Sequence, residues 1–185
     1  MKVLFLDHDG VVCLSNNWGS RLKKQKKWGG RKLSMTLSEV PVQYRFDNFD
    51  KKAVKVLNEV LTETGAEIVV SSDWKLHGSL EDLQTMYKEY GVIKSPIDLT
   101  PELRFFDPNT ASLFGYKGWL ERARCLEIQK WLELNEVESW VAVDDLNMSD
   151  EFLNPGLTNF VLTPKENEGI KQTGIKEKLI KFLNQ

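Results

Sequence analysis

The sequence predicts an α/β fold in which a mainly parallel central sheet is flanked by helices. Four apolar runs of strand length, at residues 3–6, 67–70, 140–143 and 159–162, alternate with helical patterns along the chain. Such alternation is typical of parallel sheets, because parallel strands are joined by long crossovers that are usually helical. Three of the four runs end in Asp or Ser clusters, at the edge where open α/β sheets bind ligands. These two observations predict both the fold class and the position of a functional site.

The helix before the second strand has the clearest signals, at residues 49–61. Asp50 stands at its start and Gly65 just past its end, as expected for helix caps. Its apolar residues form one face: Ala53, Val54, Leu57, Val60 and Leu61. Further helices are predicted at residues 79–90, 120–134 and 171–182.

Residues 14–45, called the basic insert below, show no clear period and are predicted to lie above the sheet within a single domain of residues 1–185. No acid occurs between Cys13 and Glu39. The cations between these two residues are Arg21, Lys23, Lys24, Lys26, Lys27, Arg31 and Lys32. Trp18 and Trp28 lie in the same segment, and Gly29-Gly30 could serve as a hinge. We therefore predict that the insert forms a flap or small cap that attracts phosphate. A solvated basic loop is the alternative interpretation.

Composition excludes several functional classes. A net charge of −2 over 185 residues gives no global attraction to nucleic acid or to anionic membranes, so any such attraction is local. Only Cys13 and Cys125 are present, which is too few for a disulfide framework or a zinc site. No apolar run reaches the roughly 18 residues that a membrane span requires, and the N-terminus enters a strand without a secretory apolar region. We therefore expect an intracellular, cytoplasmic protein in a reducing environment, without a membrane role.

The string Asp7-His8-Asp9-Gly10-Val11 directly follows the first strand. If the strand continued, the two carboxylates would share a face, and their repulsion would raise one pKa unless a divalent cation lay between them. Gly10 permits a sharp turn and close approach of a phosphate. An EF-hand-like loop is excluded, because Val12 and Trp18 stand where Gly and Glu are needed. For this string alone, a plain turn remains the alternative.

Three later strings also carry polar groups that phosphate chemistry needs. Ser71 and Ser72 follow the second strand, where hydroxyls and backbone N–H groups can hold phosphate oxygens. Arg124 lies in what the sequence predicts as the first turn of a helix, where a cation opposes the helix dipole and needs another reason to be present. That reason would be contact with Asp7 and a phosphoryl group. Asp144 and Asp145 follow the third predicted strand, where one can bind Mg²⁺ and the other can orient a water or backbone group.

In order and spacing, these strings resemble the four motifs of the haloacid dehalogenase (HAD) superfamily. The chain also resembles the compact HAD branch associated with Swiss Army Knife RNA-repair proteins, in which Ser-Ser-x-Trp-Arg, Thr-Pro, Arg-x-x-Glu-Ile-x-x-Trp-Leu and Asp-Asp recur. Residues 71–75, 100–101, 124–132 and 144–145 follow that scheme. There are two departures: Lys75 stands where the branch usually has Arg, and the basic insert has no counterpart.

The resemblance implies a Rossmann-like HAD fold and a Mg²⁺-dependent phosphatase. Asp7 would attack phosphorus and form an aspartyl-phosphate, while Asp9 would protonate the leaving oxygen and later activate water. Mg²⁺ would be held by Asp7, the Asp9 carbonyl and Asp144 or Asp145, with Ser71 and Arg124 binding phosphoryl oxygens. The further substrate-binding candidates are Gly10, Ser72, Lys75, Lys23, Lys24, Lys26 and Lys27.

Three functions are open at this point. The first is a phosphatase of RNA or DNA ends or of nucleotides, favoured by the RNA-repair resemblance and the Trp-bearing basic insert. The second is a small-metabolite phosphatase. The third is a catalytically silent module that binds a phosphorylated ligand, against which the complete set of motif residues argues. No obligate protein partner is indicated, and His8 is predicted to point away from Asp7 and Asp9 into neighbouring packing.

Overall fold

The computed structural model describes residues 1–29, 36–103 and 108–185. Five parallel strands form one sheet in the order β3-β2-β1-β4-β5. Their bounds are β1 Lys2–Leu6, β2 Glu67–Val70, β3 Asp98–Leu99, β4 Ser139–Asp144 and β5 Phe160–Leu162. The predicted α/β class is therefore confirmed. The sequence does not predict β3, because it has only two residues and pairs only with the end of β2.

Helices cover both faces of this sheet, as the alternation of buried side chains along the strands requires. Leu4 and Leu6 of β1 belong to a core that also contains residues of α3 (Lys51–Thr64), α4 (Leu80–Glu89) and α7 (Ile175–Leu183). Val3 and Phe5 point to the opposite face, where they join residues of α5 (Pro108–Leu134). The other α-helices in the described residues are α1 Ser20–Trp28, α2 Val42–Arg45 and α6 Asp150–Leu153.

Helix α3 matches its prediction closely. The Asp50 carboxylate accepts hydrogen bonds from the backbone N–H groups of Lys52 and Ala53, and Gly65 ends the helix with a φ of 71°. All five residues of the predicted apolar face are buried. The caps and the apolar period are local properties, which is why the sequence alone predicts this helix.

Two predicted helix starts are wrong. Helix α5 begins at Pro108 rather than at residue 120, so Arg124 lies in the helix interior, where the dipole argument does not apply. Helix α7 begins at Ile175 rather than at residue 171, because Gly174 precedes it with a φ of 85°. A short 3₁₀ helix at Gly169–Lys171 takes the place of the predicted first turn.

The basic insert contains the helix α1, which the sequence pattern does not reveal because the segment lacks an apolar face. Gly19 and Gly29 flank this helix, with φ values of 76° and 122°. Arg31, Lys32 and the Gly30 half of the predicted hinge lie outside the described residues. No helix in the described part of the chain combines the length and the hydropathy that crossing a bilayer requires.

The strand order creates a crevice at one place. From β1 the chain adds β2 and β3 on one side of the sheet, and then returns to add β4 and β5 on the other side. Open α/β sheets bind ligands where the direction of strand addition reverses, outside the carboxyl ends of the strands. Here that place lies between β1 and β4, which end beside Asp7 and at Asp144.

Candidate active site

Arg124 joins the ends of three strands in a buried cluster. Its Nη1 donates hydrogen bonds to Asp7 Oδ1 at 2.9 Å, to the Ser71 carbonyl at 2.5 Å and to Asp144 Oδ2 at 2.8 Å. Its Nη2 contacts the Asp73 carboxylate. Asp7, Arg124 and Asp144 are each at most 4% exposed. The structure thus brings together four of the predicted site residues from four separate segments, with Ser71 as the fourth.

The charges of this cluster depend on one another. Burial alone would lower the pKa of Arg124, but Asp144 and Asp7 raise it above its ordinary value. Burial and the neighbouring Asp144 raise the pKa of Asp7 well above its usual range, although Arg124 opposes this effect. Carboxylates in such a site are more stable when a further cation is present.

Asp7, Asp144 and Asp145 form a group that fits a hard divalent cation. One oxygen from each carboxylate lies within 4.8 Å of the others. Burial and Asp144 raise the pKa of Asp145 to about 7. Oxygen donors with excess negative charge are the ligands that Mg²⁺ prefers. The Asp9 side chain is not part of this group, so its predicted contribution through the backbone carbonyl stays a prediction.

Mg²⁺ is expected to stabilise the protein, and Asp145→Asn should weaken that effect. At a concentration of about 100 times Kd, a bound ion adds about 2.7 kcal/mol, which corresponds to about 5–10 °C in the melting temperature. Thermal unfolding with and without Mg²⁺ measures the shift. Without metal, the variant should melt at or above the wild-type temperature, since one of the crowded carboxylates is gone. An equal Mg²⁺ shift in both proteins would contradict the assignment.

Gly10 is needed at its position because Asp145 comes very close to it. Its φ is 68°, and a Cβ atom built on it would lie 2.4 Å from Asp145 Oδ2. A side chain here would therefore displace one of the carboxylates that could hold the metal. The predicted contact of Gly10 with substrate stays a prediction.

Asp9 is held by Trp74, a contact that the sequence does not reveal. Trp74 Nε1 donates a hydrogen bond to Asp9 Oδ2 at 2.8 Å, and the Trp74 ring stacks on Phe46 with 5.0 Å between centroids. Burial raises the pKa of Asp9, while the bond from Trp74 partly lowers it. A carboxyl group with a raised pKa and a fixed orientation suits a general acid and base. The sequence signal that could have indicated this contact is the position of Trp74, two residues after the Ser71-Ser72 pair that follows β2.

Ser71 and Ser72 have different surroundings, although both are buried. Ser71 Oγ has no hydrogen-bond partner among the described residues. Ser72 Oγ instead accepts a bond from the Trp74 backbone N–H at 3.5 Å and caps the 3₁₀ helix Asp73–Leu76. A buried polar atom without a partner is costly, and active sites are a common reason for keeping one. Ser71 therefore has a hydroxyl available for a ligand, and the side chain of Ser72 serves the local fold.

Ser71→Ala is expected to reduce turnover by about 100-fold without reducing stability, since the hydroxyl makes no described bond in the protein. Phosphate release and thermal unfolding of the same preparation measure the two effects. Ser72→Ala is the matched control, because loss of a helix cap costs about 0.5–2 kcal/mol of stability. If Ser71→Ala destabilised the fold as much as Ser72→Ala did, the hydroxyl would have a structural role.

Substrate binding by Lys75 stays a prediction, and the Lys75 ammonium group makes a buried contact within the protein. Its Nζ donates hydrogen bonds to Glu127 Oε2 at 2.6 Å, to Thr100 Oγ1 at 2.7 Å and to the Pro101 carbonyl at 3.2 Å. The side chains of Lys75 and Glu127 are 4% and 0% exposed. An ammonium group has three donors, so binding a phosphate would require breaking this buried contact. The ion pair connects the segment after β2 to the helix that carries Arg124.

The predicted lysines of the basic insert lie outside the acidic cluster. Lys23, Lys26 and Lys27 are exposed on α1, whereas Lys24 Nζ donates a hydrogen bond to Tyr90 Oη at 3.2 Å. Asp47 anchors the start of this helix by accepting bonds from the backbone N–H groups of Gly19 and Arg21. Asp47 and Arg21 also affect the pKa of Asp9, in opposite directions. The helix therefore begins close to the site, with exposed lysines on its outer surface.

His8 is buried in an aromatic cluster, as predicted. Its Nε2 hydrogen-bonds with Tyr87 Oη at 2.7 Å, and its ring contacts Trp74 with 4.6 Å between centroids. Burial and Arg124 lower the pKa of His8 to about 3. It is therefore neutral at physiological pH and supports the turn between Asp7 and Asp9.

Comparison with protein families shows which family the chain matches. The model of the family described as "HAD domain in Swiss Army Knife RNA repair proteins" matches residues 3–174. Comparisons with curated proteins and with solved structures gave no significant match. The matched range includes every residue of the cluster around Arg124.

Proposed function

Because the chain belongs to the family of HAD domains in Swiss Army Knife RNA repair proteins, a family of phosphatase-type hydrolases, we propose that it is a Mg²⁺-dependent phosphatase of nucleic-acid ends or nucleotides. The observation that carries the proposal is the buried cluster in which Arg124 contacts Asp7 beside the Ser71 hydroxyl, which has no hydrogen-bond partner among the described residues. A nucleophile, a cation and a free hydroxyl in one place are what phosphoryl transfer requires.

The reaction proceeds in two steps. A carboxylate oxygen of Asp7 attacks phosphorus, the bond from phosphorus to the leaving oxygen breaks, and the carboxyl group of Asp9 gives its proton to that oxygen. Asp9 then removes a proton from water as the water oxygen attacks phosphorus. The bond between phosphorus and Asp7 breaks, which releases inorganic phosphate and leaves Asp9 protonated for the next cycle.

Arg124 and Ser71 supply the contacts to the phosphoryl oxygens. The guanidinium group neutralises charge, and the hydroxyl donates a hydrogen bond in a site that is already buried. Asp7, Asp144 and Asp145 would hold Mg²⁺, which when bound offsets the negative charge of the carboxylates and the phosphoryl group.

For the substrate, the support comes from the family and from α1. The family occurs in RNA repair proteins. Helix α1, which begins close to the site, exposes Lys23, Lys26 and Lys27 to solvent. A row of exposed cations attracts the phosphate backbone of a nucleic acid more strongly than it attracts a single small phosphate.

We also propose that residues 1–185 form a single domain. Its two free, buried cysteines suit the reducing cytoplasm, where we propose that it acts.

Phosphate release tests this proposal. The substrates are 3′- and 5′-phosphorylated RNA and DNA oligonucleotides, mononucleotides and sugar phosphates, each with and without Mg²⁺. We expect Mg²⁺-dependent release that is fastest from oligonucleotides and declines steeply with salt. Preference for sugar phosphates with a shallow salt dependence would support the small-metabolite alternative. No release from any substrate would favour the silent binding module.

The lysines of α1 provide a sharper version of this test. Replacing Lys23, Lys26 and Lys27 by Gln should weaken oligonucleotide binding and reduce the slope of log K against log salt by about 2. Lys24 is left in place because it contacts Tyr90. The matched control replaces three exposed lysines of α3, namely Lys51, Lys52 and Lys55. Equal effects of the two triple variants would mean that α1 has no special role.

A further inference from the structure

Trp18 is a large aromatic residue that remains 44% exposed. It lies beside the turn at residues 10–13, which directly follows Asp9. Its Nε1 donates a hydrogen bond to the Cys13 carbonyl at 3.3 Å, and the same oxygen accepts a bond from the Gly10 backbone N–H at 3.0 Å. Asp9 and Cys13 also face each other across an isolated bridge of β type. The indole is thus held next to the backbone that carries Asp9.

The position of Asp9 indicates which part of the substrate reaches Trp18. In an in-line displacement, the nucleophile and the leaving oxygen lie on opposite sides of phosphorus. Asp7 is the nucleophile, and Asp9 protonates the leaving oxygen, so the leaving group lies on the Asp9 side. Trp18 lies close to Asp9, because its indole N–H and the backbone N–H of Gly10, the residue after Asp9, donate to the same Cys13 carbonyl.

The chemistry of Trp18 limits what it can bind. An indole has a single donor, and here that donor is already used by Cys13. What remains is the flat ring surface, which binds other flat rings by stacking. Close by, the Arg21 side chain is 44% exposed, and its Nη1 lies 3.5 Å from Asp47 Oδ2. Asp47 also accepts a hydrogen bond from the backbone N–H of Gly19, the residue after Trp18, so the Arg21 guanidinium lies close to Trp18 in the fold.

We propose that Trp18 stacks on the base of the nucleotide that loses its phosphate, and that it determines specificity for leaving groups with a base over leaving groups without one. The neighbouring charge of Arg21 suits a further phosphate of the same strand. The inference rests on the proposed function, and it identifies the part of the substrate that the site recognises.

Matched substrates with and without a base test this role. Oligonucleotides that end in a phosphorylated normal nucleotide are compared with ones that end in a phosphorylated abasic nucleotide. The specificity ratio is kcat/KM for the normal substrate divided by kcat/KM for the abasic substrate. Trp18→Leu should lower this ratio by about 5- to 150-fold, as expected for loss of one base stack. Trp18→Phe should keep most of the ratio. Both variants lose the bond to Cys13, so their difference isolates the ring.

Trp28→Leu is the control variant. Trp28 is 38% exposed, but one face of its ring stacks on Tyr44 with 5.4 Å between centroids. Its ratio should change by less than twofold. An equal ratio for wild type and Trp18→Leu, or an equal effect of Trp28→Leu, would overturn the role of Trp18 while leaving the phosphatase intact. Absence of phosphate release by the wild-type protein would instead overturn the proposed function, and the stacking role with it.

Discussion

Asp7→Asn is expected to abolish phosphate release, with a loss on the order of 10⁴- to 10⁶-fold, because an amide has no charged oxygen to attack phosphorus. The fold should remain, since the amide oxygen can still accept the hydrogen bond from Arg124. One negative charge also disappears from a buried site in which burial and Asp144 already raise the pKa of Asp7. The metal-free variant should therefore melt at or above the wild-type temperature.

Trapping of the covalent intermediate distinguishes this role from a role in metal binding. After acid quench of a reaction with a ³²P-labelled substrate that has a good leaving group, label should remain on the wild-type protein. Asp9→Asn should keep more label, because it lacks the base that activates water. Asp7→Asn should keep none. Label on Asp7→Asn would show that another residue is the nucleophile.

Arg124→Met should produce the largest loss of stability. The substitution leaves Asp7 and Asp144 buried without the cation that both contact, and breaking such a buried network costs about 3–5 kcal/mol. For a protein of this size, that corresponds to about 6–20 °C in the melting temperature. Turnover should be lost as well, because a contact to the phosphoryl oxygens is removed. Urea unfolding and phosphate release measure the two losses.

Arg124→Lys is the matched control, since it keeps the charge but not the several fixed donors of a guanidinium group. It should recover more of the stability than of the activity. Mg²⁺ should reduce the stability loss of Arg124→Met, because a bound ion restores positive charge between the carboxylates, but it should not restore turnover. A fully stable Arg124→Met protein without Mg²⁺ would mean that the buried carboxyl groups are protonated rather than paired.

The parts of the site that the sequence predicts are those that the strands determine. Asp7, Ser71 and Asp144 each follow or end a recognisable strand, and parallel strands bring their carboxyl ends to one edge. The contact between Arg124 and Asp7 is also predicted correctly, although the helix starts 12 residues earlier than expected. The contact was predicted correctly because several carboxylates in one site require a cation, and this requirement does not depend on where the helix begins.

The parts that the sequence does not predict depend on packing between distant segments. Lys75 has the right charge for a substrate contact, but its direction depends on Glu127, 52 residues away. The bond from Trp74 to Asp9 spans 65 residues, and the anchoring of α1 by Asp47 spans 26–28 residues. Each of these contacts joins segments that are distant in sequence, so no local pattern predicts which two side chains meet.

Arg124 binds groups that lie far apart in sequence, among them Asp7 at a separation of 117 residues. During synthesis, Asp7 emerges early, while the strand that provides Asp144 follows only after α5. In a growing chain, Asp7, the proposed nucleophile, is therefore made long before its partner Arg124 and the other proposed metal ligands, Asp144 and Asp145. The proposed site is complete only when β1 and β4 have paired, so phosphate release would also report the pairing of these two strands.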